Sequence, residues 1–258
     1  MLNKLKELYS FRELLKNLVI KELKLRYKRS VLGFLWTMLN PLMMMIILTI
    51  VFSQLMRFDM KNFAIFLLCG LLPWNYFSQS ISMATTSLIS NANLINKVYI
   101  PKAIFPISLI FSNMVNMVLS LIPLFLLMII IGVRIQPSVL LIPVLLLNLM
   151  FFTAGISLFI SCLNVFFRDF THMIEIIIMA WFYVTPIIYP LEKIPAQYEM
   201  FFKLNPLIYI IGNFREVIFY GRIPDFSFIL NSLFASVISF VMGYWYFYKN
   251  EKQIIFYI

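Results

Sequence analysis

The chain has 258 residues, of which 62% are hydrophobic and only 12% are charged, and its mean hydropathy is +0.91. That much apolar surface exceeds what one soluble core buries, so the composition excludes a soluble globular enzyme and indicates an integral membrane protein. The formal net charge of +10 is explained by membrane topology and by attraction to anionic lipid, so we expect contact with membrane lipids and no nucleic-acid partner.

Residues 10–29 predict an amphipathic helix that lies in the membrane interface. At 100° per residue, its apolar side chains share one half of a helical wheel and most of its lysines share the other half. Glu22, Arg26 and Arg29 break the apolar stripe. The break indicates that the last turn of this helix faces a polar environment instead of acyl chains. Because residues 1–29 also lack a long apolar stretch, we expect no cleavable signal peptide.

Stretches of sequence without charged residues predict six membrane-spanning helices, because one span needs about 20 mostly apolar residues. With the N-terminus on the inside, the inner segments carry 14 Lys and Arg residues and the outer segments carry 7. The excess of positive charge predicts that both termini are cytoplasmic. We expect the spans at residues 31–56, 63–87, 103–131, 138–163, 171–190 and 226–248.

Two further segments are neither spans nor ordinary loops. Residues 88–100 mix asparagines with apolar side chains, which is typical of a short amphipathic helix held against a protein partner. Residues 191–222 contain the uncharged run Leu204–Phe214, which at 11 residues is too short to cross a bilayer. This segment predicts an extracytoplasmic re-entrant hairpin between the fifth and sixth spans. The expected fold is therefore an all-α integral membrane protein.

The seven glycines are placed so that neither a GxxxxGK[ST] loop nor a GxGxxG turn can form. We therefore expect no ATP site, cofactor or metal in this chain. The single histidine, His172, lies between Asp169 and Glu175 at three-residue spacings. That spacing could hold a metal ion or relay a proton in an intramembrane enzyme, and the alternative is a helix cap with a favourable dipole interaction.

The spans carry uncharged polar and aromatic side chains where an ion-coupled carrier needs charges. Helix packing and interfacial belts account for many such residues. A path for sugars accounts for others, because sugar rings stack on aromatic faces and their hydroxyls bond to amides. The residues that we expect to line a channel or lateral gate are Trp36, Asn40, Tyr76, Phe77, Asn113, Asn116, Trp181, Phe182 and Tyr183.

Five motifs in order along nearly the whole chain resemble the membrane subunit of ABC-type polysaccharide exporters. That family exports O-antigen, capsule and teichoic-acid polymers. The motifs are RYKRSVLGFLWTMLNPL at residues 26–42, LLPWNYFSQSI at 71–81, LNVFFRD at 163–169, TPIIYP at 185–190 and NPLIYIIGNFREVIFYG at 205–221.

The resemblance implies a homodimer joined by two ATPase subunits, which bind ATP and magnesium. It assigns residues 10–29 to an interfacial gate helix, 88–100 to a coupling helix in a groove of the ATPase, and 191–222 to an extracytoplasmic gate. The residues expected at the ATPase are Asn91, Asn93, Leu94, Lys97, Val98 and Tyr99.

The cargo that the resemblance implies is an O-antigen polysaccharide on undecaprenyl pyrophosphate, carried across the cytoplasmic (inner) membrane. A teichoic-acid or capsular polymer is the alternative, and an intramembrane enzyme that uses Asp169, His172 and Glu175 is a distant one. Guanidinium groups present a planar fork of donors that suits phosphates. We therefore expect the anionic lipid head group at Arg26, Lys28 and Arg29.

Overall fold

A computed structural model describes residues 7–28, 30, 32–55, 60 and 62–258. Across these residues the secondary structure is helical and contains no β-strand. We number the α-helices α1 (Arg12–Tyr27), α2 (Trp36–Thr49), α3 (Phe63–Ser90), α4 (Ala92–Ile95), α5 (Ile104–Ile131), α6 (Ile142–Phe166), α7 (Phe170–Val184), α8 (Glu199–Lys203), α9 (Pro206–Ile218) and α10 (Phe226–Tyr257).

Three segments of the described residues are long and apolar enough to cross a membrane. They are Ile104–Ile131, Pro137–Phe166 and Phe226–Tyr257, while Trp36–Phe52 and Phe170–Val184 are shorter apolar helices. The second segment begins with a 3₁₀ turn, Pro137–Leu141, that leads into α6. The chain is thus a helical multi-pass membrane protein.

Helix α3 lies at the centre of the bundle and contacts α2, α5, α6, α7 and α9. Nineteen of its 28 residues are buried. Because neighbouring helices surround it, few of its side chains face lipid, and its second half can carry Asn75, Ser78, Gln79 and Ser82. This explains why the least apolar of the expected spans occupies the middle of the fold.

Helix α2 is shorter than the expected span at residues 31–56. It follows a 3₁₀ turn at Gly33–Leu35 and continues as a π-helical stretch at Ile50–Leu55. Pro41 lies inside α2, where its ring removes the backbone hydrogen bond to the carbonyl of Thr37. The Ser120 hydroxyl of α5 lies 3.0 Å from that carbonyl oxygen and 2.8 Å from the carbonyl oxygen of Asn116, so the two acceptors share its one proton. A side chain from another helix therefore replaces part of the hydrogen bond that the proline removes.

Helices α6 and α10 pack with their backbones in direct contact. A Cβ atom added to Gly155 falls 2.2 Å from the backbone carbonyl of Ser239, and one added to Gly243 falls 1.9 Å from the carbonyl oxygen of Gly155. The Ser239 hydroxyl donates to the carbonyl of Phe152 at 2.8 Å. Only glycine allows this approach, and small residues are typical of close helix crossings in membranes.

Among the described residues, the buried apolar side chains form two clusters. The larger cluster joins α3, α5, α6 and α9. The smaller cluster, which we call the α1 end, joins Leu18 of α1 to Leu88, Ile104 and Ile254. Since Ile254 is fully buried there, α10 continues to Tyr257, past the expected end of the sixth span at residue 248. The contact of Ile254 with the α1-end cluster supports the part of α10 beyond residue 248.

At the opposite end, residues 185–190 connect α7 to two 3₁₀ turns and then to α8 and α9. Asn205 caps α9 by accepting a hydrogen bond from the backbone N–H of Leu207 at 3.1 Å, and Pro206 occupies the first helical position. Arg215 of α9 is buried, and its guanidinium donates to the carbonyls of Pro186 and Ile187 at 2.5 and 2.6 Å. Arg215 therefore fixes α9 to the irregular segment after α7.

Candidate functional site

A polar cavity of about 360 Å³ opens between α1, α2, α3 and α5. Five of its lining residues carry a side-chain amide, two are aromatic, and Arg26 is the charged one among the residues that the structure describes there. We call it the amide cavity. It is lined by Arg26, Trp36, Thr37, Asn40, Pro41, Leu72, Asn75, Tyr76, Gln79, Asn113, Asn116, Met117 and Ser120.

Arg26 enters the cavity because of its position on α1. Leu18, Glu22 and Arg26 follow one another at four-residue spacing, so they share one face of the helix. Leu18 is buried in the α1-end cluster, and Glu22 lines a second cavity of about 180 Å³ against α3 and α5. The same face carries Arg26 toward the polar side chains of α3 and α5. The interruption of the apolar stripe predicted this polar environment.

Three acceptors hold the Arg26 guanidinium. Its Nη2 donates to Asn113 Oδ1 at 2.7 Å and to Met83 Sδ at 2.8 Å, and its Nη1 donates to Gln79 Oε1 at 3.4 Å. Asn113 is buried, and its Nδ2 donates to Ser80 Oγ at 3.2 Å, which turns its carbonyl oxygen toward Arg26. Hydrogen bonds from a charged donor are stronger than neutral ones, so this set fixes the arginine firmly.

The acceptors around Arg26 are neutral, so its positive charge is not cancelled inside the cavity. No Asp or Glu belongs to the described lining. The hydrogen bonds of Arg26 to described residues use Nη1 and Nη2, and its Nε–H takes part in none of these. The cavity therefore offers a positive field and a further donor to an anionic ligand.

Tyr76 and Trp36 are the aromatic residues of the amide cavity. Trp36 is 44% exposed, at the cavity wall, whereas Tyr76 is only 3% exposed. The Tyr76 hydroxyl is buried and has no hydrogen-bond partner among the residues that the structure describes. A buried hydroxyl without a partner costs about 1–3 kcal/mol. A ligand that bonds to this hydroxyl would recover part of that cost.

The structure divides the expected channel-lining residues into two groups. The first group lines the amide cavity and consists of Trp36, Asn40, Tyr76, Asn113 and Asn116.

Phe77, Trp181 and Phe182 lie elsewhere, in an aromatic cluster with Trp74. The ring centroids of Phe77 and Trp181 are 5.2 Å apart, and those of Trp74 and Phe182 are 5.5 Å apart. Phe77 is fully buried, and Tyr183 is 68% exposed on the outer side of α7. Consecutive helical residues point about 100° apart, which separates Phe77 from its neighbour Tyr76.

The three residues expected at the lipid head group do not share one surface. Lys28 is exposed and lines a groove on the outer face of α1 with Lys21 and Lys24, away from the amide cavity. Arg29 lies outside the described residues. Arg26 alone of the three lines the amide cavity.

Residues 88–100 contain the last turn of α3, the single turn α4 and an extended stretch to Pro101. Ile95 and Ile100 are buried and anchor the segment in the α1-end cluster. Asn91 is half-buried, and its amide donates to the carbonyl of Ser87 at 2.8 Å. The other residues expected at the ATPase are exposed: Asn93, Leu94, Lys97, Val98 and Tyr99.

Asp169, His172 and Glu175 are all exposed at the start of α7. In the described part of the chain, no three His, Cys, Asp or Glu side chains come together in a group that could hold a metal ion. A buried acid or base with a shaped pocket, which an intramembrane enzyme needs, is not formed by these three residues.

The sequence reasoning missed two kinds of residue. Asn75, Gln79 and Met83 complete one face of α3 with Tyr76, and their spacing of three and four residues was the signal that could have found them. Arg215 was not among the expected site residues, although a charged residue in an apolar helix is a functional signal in membrane proteins.

Comparison with known proteins gives one consistent result. Residues 13–219 match the family model described as ABC-2 type transporter. The chain is 36% identical to the O-antigen export system permease protein RfbA of Myxococcus xanthus over 87% of each chain. It is 35% identical to the protein of the same name from Klebsiella pneumoniae over 78% of each chain. It is 27% identical to the polysialic acid transport protein KpsM of Escherichia coli over 81% of this chain and 82% of KpsM.

Proposed function

Because this chain belongs to the ABC-2 type transporter family of membrane proteins, we propose that it is the permease subunit of an ABC exporter that moves a lipid-linked O-antigen polysaccharide outward across the cytoplasmic membrane. The observation that carries the proposal is the similarity, over most of the chain, to permeases named for O-antigen export. The polymer is attached to undecaprenyl pyrophosphate or a similar lipid.

ATP is hydrolysed by a partner subunit, since the glycines of this chain form no phosphate-binding loop. Two such subunits bind a homodimer of the permease at residues 88–100. The exposed apolar side chains of Leu94, Val98 and Tyr99 support this docking site, because they stand next to the buried anchors Ile95 and Ile100.

The six expected spans correspond to α2, α3, α5, the Pro137–Phe166 segment, α7 and α10. Both termini are cytoplasmic, and the α1 end of the bundle is the cytoplasmic end. Residues 191–222, which include α8 and α9, form a re-entrant hairpin on the other side of the membrane. The excess of basic residues in the N-terminal segment supports this orientation.

The lipid pyrophosphate binds at Arg26, where α1 meets the first span; the parts of the expected site at Lys28, on another face of α1, and at Arg29 remain predictions. The neutral acceptors around Arg26 support this placement, because they hold the guanidinium without cancelling its charge. The prenyl tail stays in the bilayer while the glycan passes between the two permease subunits. Closure of the ATPase dimer pushes on residues 88–100 and so changes the relative position of α1 and α3.

The proposal is tested in cells that make the polymer. Removing this chain is expected to abolish the polymer at the cell surface while lipid-linked polymer accumulates on the inner side, measured by surface labelling of intact and lysed cells. Complementation with the wild-type chain restores the surface signal. Unchanged surface polymer in the cells that lack the chain would refute the proposal.

The second candidate within the class is a capsular or teichoic-acid exporter, which the similarity to the polysialic acid transport protein favours. Chemical analysis of the polymer that accumulates inside distinguishes these cargoes. An intramembrane enzyme is the distant alternative. In that case His172→Ala abolishes the activity, whereas a permease with His172→Ala still exports, because this side chain is exposed outside the amide cavity.

A further inference from the structure

We propose that the amide cavity of each subunit binds one glycosyl phosphate unit of the cargo, with the sugar between Trp36, Tyr76 and the amides and the phosphate on Arg26. The inference rests on the proposed function and deepens it. It places recognition of the sugar next to the lipid head group inside one subunit, between α1, α2, α3 and α5.

The size of the cavity limits what it can hold. A volume of about 360 Å³ lies at the low end of the range for small-molecule sites, about 300–1,000 Å³. One sugar ring with its phosphate fits in this volume. Because the cavity is open, the rest of the polymer can extend outside it.

The chemistry of the lining selects the class of ligand. Amides from three helices present both donors and acceptors: Asn40 from α2, Asn75 and Gln79 from α3, and Asn113 and Asn116 from α5. Sugar hydroxyls also donate and accept, so they match amides better than an apolar ligand does. An amine is disfavoured because the described lining has no carboxylate and its one charge is positive.

The hydroxyl of Tyr76 is an independent sign of a missing ligand. It belongs to a side chain that is 97% buried, since only 3% is exposed, it lines the amide cavity, and it has no partner in the described part of the protein. Phenylalanine at this position would fill the same space without that cost. A sugar hydroxyl that reaches the Tyr76 hydroxyl supplies the partner.

Arg26 supplies the anionic subsite. Asn113 and Gln79 hold its terminal nitrogens, and the Nε–H is not used by these bonds. A guanidinium that is already positioned loses little conformational freedom when it binds a phosphate. The sugar and the phosphate are thus bound side by side in one cavity.

The experiment measures binding directly on the full exporter, permease with ATPase, in detergent. The probes are glucose 1-phosphate, galactose 1-phosphate and N-acetylglucosamine 1-phosphate, with the free sugars and inorganic phosphate in separate arms. The readout is the saturable rise in the midpoint of thermal unfolding that a bound ligand causes. The variants are Tyr76→Phe and, as a matched control, Tyr198→Phe, whose side chain is exposed outside the cavity.

We expect at least one sugar phosphate to give a saturable shift at concentrations where free sugars and phosphate give none. Tyr76→Phe should weaken that binding about three- to tenfold, the value of one neutral hydrogen bond, and Tyr198→Phe should leave it unchanged. Without the probe, Tyr76→Phe should not lower the midpoint of unfolding, because the hydroxyl has no protein partner to lose. This last result separates ligand binding from a structural role.

Two results overturn the inference. One is the absence of a saturable shift with all three sugar phosphates. The other is a shift that inorganic phosphate reproduces and that Tyr76→Phe does not change, which means that the cavity binds phosphate alone. Both leave the proposed function standing, since that depends on loss of surface polymer when the chain is removed. A chain whose removal does not affect export fails the proposed function, whatever the cavity binds.

Discussion

Arg26 lies where the sequence pattern predicted a polar environment, and the tertiary structure shows which residues form that environment. Its guanidinium leaves α1 and bonds to side chains of α3 and α5 that lie 53 and 87 positions further along the chain. It therefore has two roles, since it fastens α1 to the bundle and presents positive charge to the amide cavity.

Replacing Arg26 tests both roles. Arg26→Ala should reduce export about tenfold or more, because hydrogen bonds to charged groups contribute about 1.5–3 kcal/mol each. Export is measured as the rate at which labelled polymer reaches the cell surface, and dimer and ATPase assembly should remain intact. The control is Lys24→Ala, which removes an exposed charge from the other face of the same helix. Wild-type export by Arg26→Ala would refute the head-group assignment.

Arg215 is a second residue whose importance is visible only in three dimensions. Its guanidinium lies 3.8 Å from the centre of the Phe66 ring and donates to two carbonyls of the irregular segment 185–190. A Cβ atom on Gly70 would lie 2.9 Å from its Nη2, so α3 leaves room for the arginine by carrying glycine there. Carbonyls outside a regular helix need donors when they are buried, and Arg215 provides them.

Arg215→Ala should therefore lower the free energy of unfolding by about 3–6 kcal/mol, because it removes two hydrogen bonds from a charged donor at about 1.5–3 kcal/mol each. Arg215→Lys should recover less than half, because an ammonium group cannot match the planar fork. Thermal unfolding in detergent and protease cleavage within residues 185–205 measure the effect. The matched control is Arg222→Ala, whose exposed pairing with Glu216 stabilises little. Equal effects at the two arginines would contradict the buried role of Arg215.

At the scale of elements, the crossing of α6 and α10 is set by two glycines. Helix propensity alone favours alanine over glycine by about 0.5–1 kcal/mol in a helix interior. At Gly243 the neighbouring atom is the carbonyl oxygen of Gly155, which belongs to the backbone and cannot rotate away. Packing therefore overrides propensity at this position.

Gly243→Ala should destabilise the protein in spite of the better propensity of alanine, by about 1–3 kcal/mol, the usual cost of overpacking. The midpoint of thermal unfolding and the yield of folded protein after detergent extraction measure the change. Val237→Ala, at an exposed position of α10, is the control and should have little effect. A stabilised Gly243→Ala variant would show that the two helices can separate at no cost.

At the scale of the whole molecule, the α1 end exposes a compact apolar surface around α4. Leu94, Val98 and Tyr99 are exposed, with Tyr99 at 78%, while Ile95 and Ile100 hold the segment in place. The Tyr99 hydroxyl donates to Glu7 at 2.9 Å, so the segment also contacts the residues before α1. A partner that pushes here acts on both α3 and the N-terminal segment.

Leu94→Asp combined with Tyr99→Asp should abolish co-purification of the ATPase, because charge would replace apolar contact in the proposed docking site. The permease itself should fold normally, since both side chains are exposed. The control is Gln253→Asp, which adds negative charge at another exposed position near the α1 end. Retained co-purification of the double variant would count against this docking site.

The sequence predicted the polar or apolar character of several helices. It did not predict which side chains of different helices contact each other. The break in the apolar stripe of residues 10–29 predicted a polar environment for the end of α1, and the structure confirms it for Arg26. The sequence also predicted polar and aromatic lining but could not separate Tyr76 from Phe77, because both lie in one uncharged stretch. The packing of α3 decides which of the two faces the cavity.

By itself the sequence determined that this protein is a helical membrane protein of the ABC-2 transporter family. Composition, charge-free stretches and the order of the motifs can all be recognised along the sequence without knowledge of the packing. Only the tertiary structure decided that Arg26 bonds to Asn113 and Gln79, and that Arg215 donates hydrogen bonds to the segment after α7. The physical reason is that periodicity fixes which face of a helix is apolar and carries no information on which distant face will be packed against it.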